Sequence, residues 1–293
     1  AVANYDSVVN GAGIVKTVED LGVQSEPPVH GALLDWLAVE FREHGWSMKP
    51  MHRLIVTSAT YRQSSKVSRD LVQRDPENRL LARGARFRLP SMILRDVALQ
   101  ASGLLDGRIG GAPVYPYQPD QIWESLAITK ERDFSYPASS GADLYRRSLY
   151  TFWRRTVGPA NMFDAASRQV CKVRQNITNT PLHALTTLND PTWVEAARVL
   201  AAHAMESSVD REARLTFALR HVLGRPPAQR DRALLGKALD KQIAIYEADP
   251  KAAAEVVAIG SAPKQETLNP AEHAAFTAVC LILFNLDEAL TRE

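Results

Sequence analysis

Apolar residues recur at helical spacing along most of the chain. Leu33, Leu34, Leu37 and Phe41 form one set, Met51, Leu54, Ile55 and Ala59 a second, and Ile93, Leu94, Val97 and Leu104 a third. Leu215, Leu219 and Val222 repeat the pattern, and Leu235, Leu239 and Tyr246 follow. Each set puts its apolar side chains on one stripe of a helix, which is stable only when that stripe is buried against another element. Between the last two sets, Gly224 and Pro226-Pro227 predict a stop, because Gly accepts the left-handed turn that ends a helix and Pro cannot extend one. The run AAFTAVCLILF at residues 274–284 is apolar nearly all round and reads as a core helix. It falls well short of the roughly 20 residues needed to span a bilayer.

A local device marks where helices begin. A capping side chain followed by Pro occurs at Asp75-Pro76, Thr180-Pro181, Asp190-Pro191, Asp249-Pro250 and Asn269-Pro270. The cap accepts from an unpaired N–H of the first turn, and Pro at the next position gives up a donor that would have no partner anyway. Asn269 also has Glu272 at the spacing of a capping box.

The middle of the chain breaks this pattern. Gly107, Gly110, Gly111, Pro113, Pro116, Pro119 and Pro137 leave room only for a short helix around residues 121–126, so a long ordered loop or subdomain junction is predicted. The following run LYRRSLYTFWRRT, residues 144–156, fits a helix by the spacing of Tyr145, Leu149 and Phe152 and a strand by its β-branched and aromatic content. Read as a strand, its partner is VCKVRQNIT at residues 170–178, which gives a small β-hairpin. The fold class expected is mainly α, an irregular multi-helix domain with a long Gly/Pro-rich central loop. Residues 1–293 read as a single helical module: an N-terminal helical part at 1–105, an irregular junction at 106–143, and a polar-rich segment with C-terminal helices at 144–293.

Composition narrows the chemistry. The 293 residues are 45% hydrophobic and 23% charged, which fits a globular protein with a real core. Thirty-five basic side chains against 33 acidic ones leave a net charge of +2, so the broad positive field of a nucleic-acid binder is missing, and no nucleic-acid partner is expected. Cys171 and Cys280 cannot build a disulfide framework, a four-thiolate zinc site or a CxxCH haem attachment. Cys280, in the apolar C-terminal helix, reads as a buried thiol. Cys171 lies among arginines that would favour a thiolate.

Most short motifs fail on their context. Gly11-Ala12-Gly13 has Lys16 where a dinucleotide fingerprint needs its third Gly, and no strong β-run precedes it. Ser261 and Lys264 have the spelling of SxxK, but Pro263 prevents the helix that such chemistry needs. His203 with Glu206, and Glu40 with His44, share helix faces without further ligands nearby, so no metal site is read. The densest chemistry lies between Asp143 and Arg198. In a functional reading, Arg147, Arg154, Arg168 and Arg174 with Trp153 hold an anionic substrate by bidentate bonds and stacking, while Asp164, His183, Asp190 and Glu195 supply acid and base. In the plainer reading, the arginines and carboxylates pair to fasten loops onto helices.

Longer segments carry a family resemblance. They are GIVKTVEDLGVQSEPPVHGALLDWLAVEF (13–41), HRLIVTSATYRQSS (52–65), DPENRLLARGARFRLPSMILRDVALQASGLL (75–105) and GGAPVYPYQPDQIWE (110–124). LYRRSLYTFWRRT (144–156), FDAASRQVCKVRQNITNTPLHALTTLNDPTWVEAARVLA (163–201) and FNLDEALTRE (284–293) continue it. Collinear over nearly the whole chain, they resemble the planctomycete-type domain of unknown function found C-terminal to planctomycete cytochrome c modules in large exported proteins. The resemblance implies an exported or periplasmic setting and cytochrome c-type modules or other domains of the parent polypeptide as partners. Haem would sit on those modules and not in this segment. It implies no particular reaction. An accessory or interaction module is therefore the first expectation, and an enzyme acting on an anionic polysaccharide or polymer the second. The chain given begins at Ala1 without a recognisable signal peptide. It departs from the family at Met92, where a Glu is usual, at His183, where a Gln is usual, and at Arg174-Gln175-Asn176, where a basic pair is usual. The segment at residues 3–13 also lacks the expected Arg, Trp and His.

Overall fold

A computed structural model describes residues 13–17, 22–119, 136–153, 158–159, 161–164 and 177–292. Among these the protein is mainly helical, and the chain divides into two compact units. The first comprises residues 1–88, 170–176 and 291–293, the second residues 89–169 and 177–290.

In the first unit the predicted amphipathic runs become α1 (Gly31–Glu43) and α2 (Met48–Thr57), followed by a short α3 (Arg69–Arg74). Leu37 and Met51 bury their side chains with Ile14, and Leu34, Phe41 and Leu54 pack around them. Gly45 and Trp46 both have left-handed backbones, which turns the chain out of α1 and sets the Trp46 indole edge-on to Phe41 at 5.4 Å between centroids. Strand β1 (Phe87–Arg88) pairs antiparallel with β2 (Thr291–Arg292), Phe87 opposite Arg292. The Arg292 guanidinium lies 4.2 Å from the centre of the Tyr61 ring.

The second unit holds the larger core. Its helices are α4 (Ser91–Ser102), α5 (Pro181–Asn189), α6 (Pro191–Ser207), α7 (Arg211–Leu223), α8 (Gln229–Ala248), α9 (Pro250–Ala258), α10 (Pro270–Phe284) and α11 (Asp287–Leu290). The run predicted as a core helix is α10, which packs against α6, α8 and α9, while α6 also packs against α4 and α7. Ala196, Ala197, Ala201 and Ala204 on α6 meet Ala275, Phe276, Val279 and Leu283 of α10 in one core cluster. Alanines there let the helix axes approach closely, and Trp193, Leu200, Leu219 and Leu239 fill the remaining volume. Cys280 is fully buried in this cluster, and burial pushes its thiol well above the ordinary range, as expected for an unreactive core cysteine.

The helix-start device works where the sequence ahead can stay helical. Asp190 accepts from Thr192 N, Asp249 from Ala252 N, and Asn269 from both Ala271 N and Glu272 N. Thr180 precedes α5 without a side-chain cap, and the Glu272 carboxylate is engaged by Arg214 at 2.7 Å. Gly224 ends α7 with φ +69° as predicted. Asp75 is a correction, because no helix begins there. Its carboxylate accepts from Arg79 N and Leu80 N and folds a turn in which Asn78 has a left-handed φ of 54°. The β-hairpin reading also needs correcting. The run enters two short 3₁₀ turns, Gly141–Tyr145 and Ser148–Tyr150, and the two-stranded sheet among the described residues lies at 87–88 and 291–292. Most of the proposed partner strand at 170–178 and the short helix proposed at 121–126 lie outside the described residues.

Candidate functional site

The described residues of the polar stretch resolve into separate groups, all within the second unit. Asp164 and His183 come together. Asp164 has a left-handed backbone, φ 58°, which presents its carboxylate to Thr178: Thr178 N donates to Oδ2 and Thr178 Oγ1 to Oδ1, both at 2.7 Å. His183, one turn into α5, brings Nε2 to 4.0 Å from Asp164 Oδ1 and 3.5 Å from Thr178 Oγ1. Its ring stacks on Phe163 with centroids 3.9 Å apart and is only 6% exposed. The ring's Nδ1 is buried without a hydrogen-bond partner. An aspartate beside a histidine is an acid–base pair in chemical type, and here the imidazole is enclosed.

Asp190 and Glu195 lie apart from that pair, each in a role of its own. Asp190 caps α6, and burial raises its carboxyl above the ordinary value, while Thr192, Asn161 and Arg95 act in the other direction. Glu195, on α6, is fully buried. Its Oε1 accepts from Tyr145 Oη at 2.9 Å and Ala262 N at 2.6 Å, with Arg198 at 4.0 Å. Arg198, one turn on, is equally buried. It donates from Nε to Ile259 O at 3.1 Å, from Nη1 to Pro263 O at 3.2 Å and from Nη2 to Ala262 O at 2.8 Å. Tyr117 Oη accepts from Ser261 N at 2.9 Å. The irregular loop after α9 is thus held through its main-chain groups by Glu195, Arg198 and Tyr117. Burial raises the pKa of both Tyr117 and Tyr145, and the negative Glu195 raises them further. Ser261 and Lys264 lie in this loop, not on a helix.

Two further buried arginines repeat the arrangement. Arg95, at 0% exposure on α4, donates to Arg146 O at 2.9 Å, Ser148 Oγ at 3.2 Å and Leu144 O at 2.7 Å. Burial lowers its pKa, and Asp96 and Asp190 act against that. Arg146 donates to Arg108 O at 3.0 Å and Gly110 O at 2.5 Å, and its guanidinium lies 4.0 Å over the Tyr150 ring. A guanidinium offers five donors in a fixed fork, so one side chain can satisfy several carbonyls of a loop that has no ladder of its own. Sequence reasoning missed Arg95 and Tyr117 as members of this polar framework.

Of the proposed substrate-binding residues, Arg147 is half-exposed with Nε 3.9 Å from Asp96 Oδ2. It borders a shallow groove with Ile93, Val97 and His221. Trp153 lies against Gly158, where a methyl group would come 3.3 Å from the indole nitrogen. Arg154, Arg168, Arg174 and Cys171 lie outside the described residues. Among the described residues no three His, Cys, Asp or Glu side chains gather as a metal site, and no helix is long and apolar enough to cross a membrane.

His273 on α10 joins the same network. It is 2% exposed and its Nε2 lies 2.9 Å from Arg198 O, so the neutral ring donates there. Burial lowers its pKa below the ordinary 6.5, against the hydrogen bond to Arg198 O, which acts to raise it, and with a smaller lowering push from the Arg198 charge. The unfolded chain therefore binds a proton here first, and stability falls as pH drops below 6.5 towards the lowered value. Asp190, raised by burial from 3.8, contributes with the opposite sign at lower pH. Urea midpoints measured from about pH 8 to pH 5 should decline, and His273→Gln should flatten that decline. An unchanged slope in the variant would remove His273 from the account.

These features define a class: a mainly helical domain whose irregular loops are pinned by buried arginines. Residues 7–239 match the family described as PSD1, protein of unknown function (DUF1553), and the chain belongs to that family. No curated protein and no solved structure matches the chain.

Proposed function

We propose that this domain is an accessory interaction module that docks against other domains of its parent polypeptide. The observation that supports this most is a leucine stripe on α5. Leu182, Leu185 and Leu188, spaced three apart, are 69%, 58% and 42% exposed. The opposite face of the same helix is anchored, with His183 and Thr187 buried and Thr187 Oγ1 donating to Asn285 Oδ1 at 2.5 Å. The helix is held by one face and offers a row of apolar side chains on the other, as a docking helix does. From the family resemblance, the partners are cytochrome c-type modules in an exported or periplasmic assembly, and those modules carry the haem. The protein should co-elute or crosslink with the parent's upstream cytochrome c modules, and Leu182→Ser/Leu185→Ser/Leu188→Ser should weaken the association at least about tenfold while circular dichroism stays unchanged. Absence of association, or equal binding by the triple variant, would refute the reading.

A second reading rests on the Asp164–His183 pair. In it the domain is an enzyme acting on an anionic polysaccharide, with that pair as acid and base. Asp164→Asn and His183→Ala would then abolish any polymer cleavage that the wild-type protein shows, and unchanged cleavage would exclude the pair.

A further inference from the structure

The first unit contains a cleft of about 520 Å³ that none of the sequence motifs points to. That volume lies within the range of small-ligand sites. One wall is the segment from Gly13 to Lys16, and another is the turn at Asp75–Arg79 together with the extended residues that lead into β1. Two ion pairs join segments far apart in sequence along its margin: Lys16 Nζ lies 3.1 Å from Glu77 Oε2, and Arg79 Nη2 lies 3.2 Å from Glu26 Oε2. All four side chains are about half-exposed, so their remaining donors and acceptors stay open to a ligand.

The turn that carries Glu77 and Arg79 is braced by hydrogen bonds of its own. Asp75 accepts from two main-chain N–H groups, and Arg83 donates to Asp75 O at 2.8 Å and Pro76 O at 2.9 Å. Asn78 donates from Nδ2 to Arg83 O at 2.9 Å. Asn78 lines the cleft, is 7% exposed, and its Oδ1 is buried without a hydrogen-bond partner. An unpaired buried acceptor is an unfavourable state, which a ligand donor relieves when a small shift of the turn admits it.

We propose that this cleft binds a neutral carbohydrate. The wall alternates acceptors (Glu26, Glu77, Asn78) with donors (Lys16, Arg79), and Phe87 adds a ring beside them. Sugar hydroxyls both donate and accept, and neighbouring hydroxyls match the planar carboxylate and guanidinium groups two bonds at a time. An anionic ligand fits less well, because Lys16 and Arg79 already have carboxylate partners, Arg83 is committed to carbonyls, and Arg86, the remaining basic side chain of the lining, is engaged as well. The site differs from the leucine stripe and from the arginine-rich stretch, so it stands or falls independently of the docking reading.

Titration calorimetry with the full chain should give a Kd at or below about 1 mM for at least one of cellotetraose, mannotetraose and maltotetraose, the typical strength of a few exposed polar contacts. Glu26→Gln and Glu77→Gln should each weaken that binding about tenfold, while Lys251→Ala, on an exposed face of the second unit, leaves it unchanged. Circular dichroism of each variant separates lost binding from lost folding. Sugar binding that survives both Gln variants, no heat with any tetrasaccharide, or tighter binding of tetragalacturonate or a capped tetrapeptide would overturn the proposal.

Discussion

Replacing Arg198 with Met should lower the stability of the protein by about 3–5 kcal/mol, the cost of stranding one member of a buried ion pair. The substitution keeps most of the stem volume but removes three donors from Ile259, Ala262 and Pro263 carbonyls, and it leaves the fully buried Glu195 without its cation. Domains of this size are stable by only about 5–15 kcal/mol, so a loss of that size takes a large share of the total. Adding Glu195→Gln should recover part of it, because an amide carries no charge to strand and can still accept from Tyr145 Oη and Ala262 N. Urea denaturation of the two variants tests this. A loss below about 1 kcal/mol for Arg198→Met would mean that the loop after α9 holds without its clamp.

Gly260→Ala should cost about 3 kcal/mol through two effects at one atom. Gly260 has φ +89°, where a side chain is strained, and a Cβ there would overlap the carboxyl end of Glu195. Glu195 cannot swing away without giving up Tyr145 and Ala262. Because both substitutions release the same loop, the double variant Arg198→Met/Gly260→Ala should fall short of the sum of the singles. Strict additivity in a double-mutant cycle would separate Gly260 from the clamp.

Those two residues also show where the sequence stops being legible. Helices and their starts could be read because their signals are local: an apolar stripe, a cap and a proline lie within a few residues of one another. Asp190, Asp249 and Asn269 therefore cap as expected. Asp75 has the same spelling, but its carboxylate is taken by the N–H groups of Arg79 and Leu80 in a tight turn, which no dipeptide reveals. The run at 144–156 misled for a related reason. Among its described residues, Leu144, Arg146 and Ser148 are held by Arg95 from α4, some fifty residues earlier, and Tyr150 and Phe152 by main-chain bonds with Val114. Arg95 itself was invisible as a polar anchor, because in an amphipathic pattern an arginine marks the face turned to water. Here the buried face of α4 is the one that carries Arg95, together with Leu94, Ala98, Leu99 and Ser102, while Ile93 of the predicted apolar stripe is exposed. Within the candidate site, residue type was readable but company was not. Asp164 and His183 lie together because a left-handed residue and a helix start bring them there, while Asp190 and Glu195 serve α6 and the loop after α9.

The clamps have a consequence for how this protein can change. Arg95, Arg146 and Arg198 grip main-chain oxygens, and every amino acid has one. A bond to a main-chain oxygen is indifferent to the side chain beside it, so an exposed loop position such as Pro263 can vary while the loop keeps its path. Variation can then accumulate on the outside of these loops with the scaffold beneath them unaltered, and three interior arginines with Gly260 form the small fixed set on which that latitude depends.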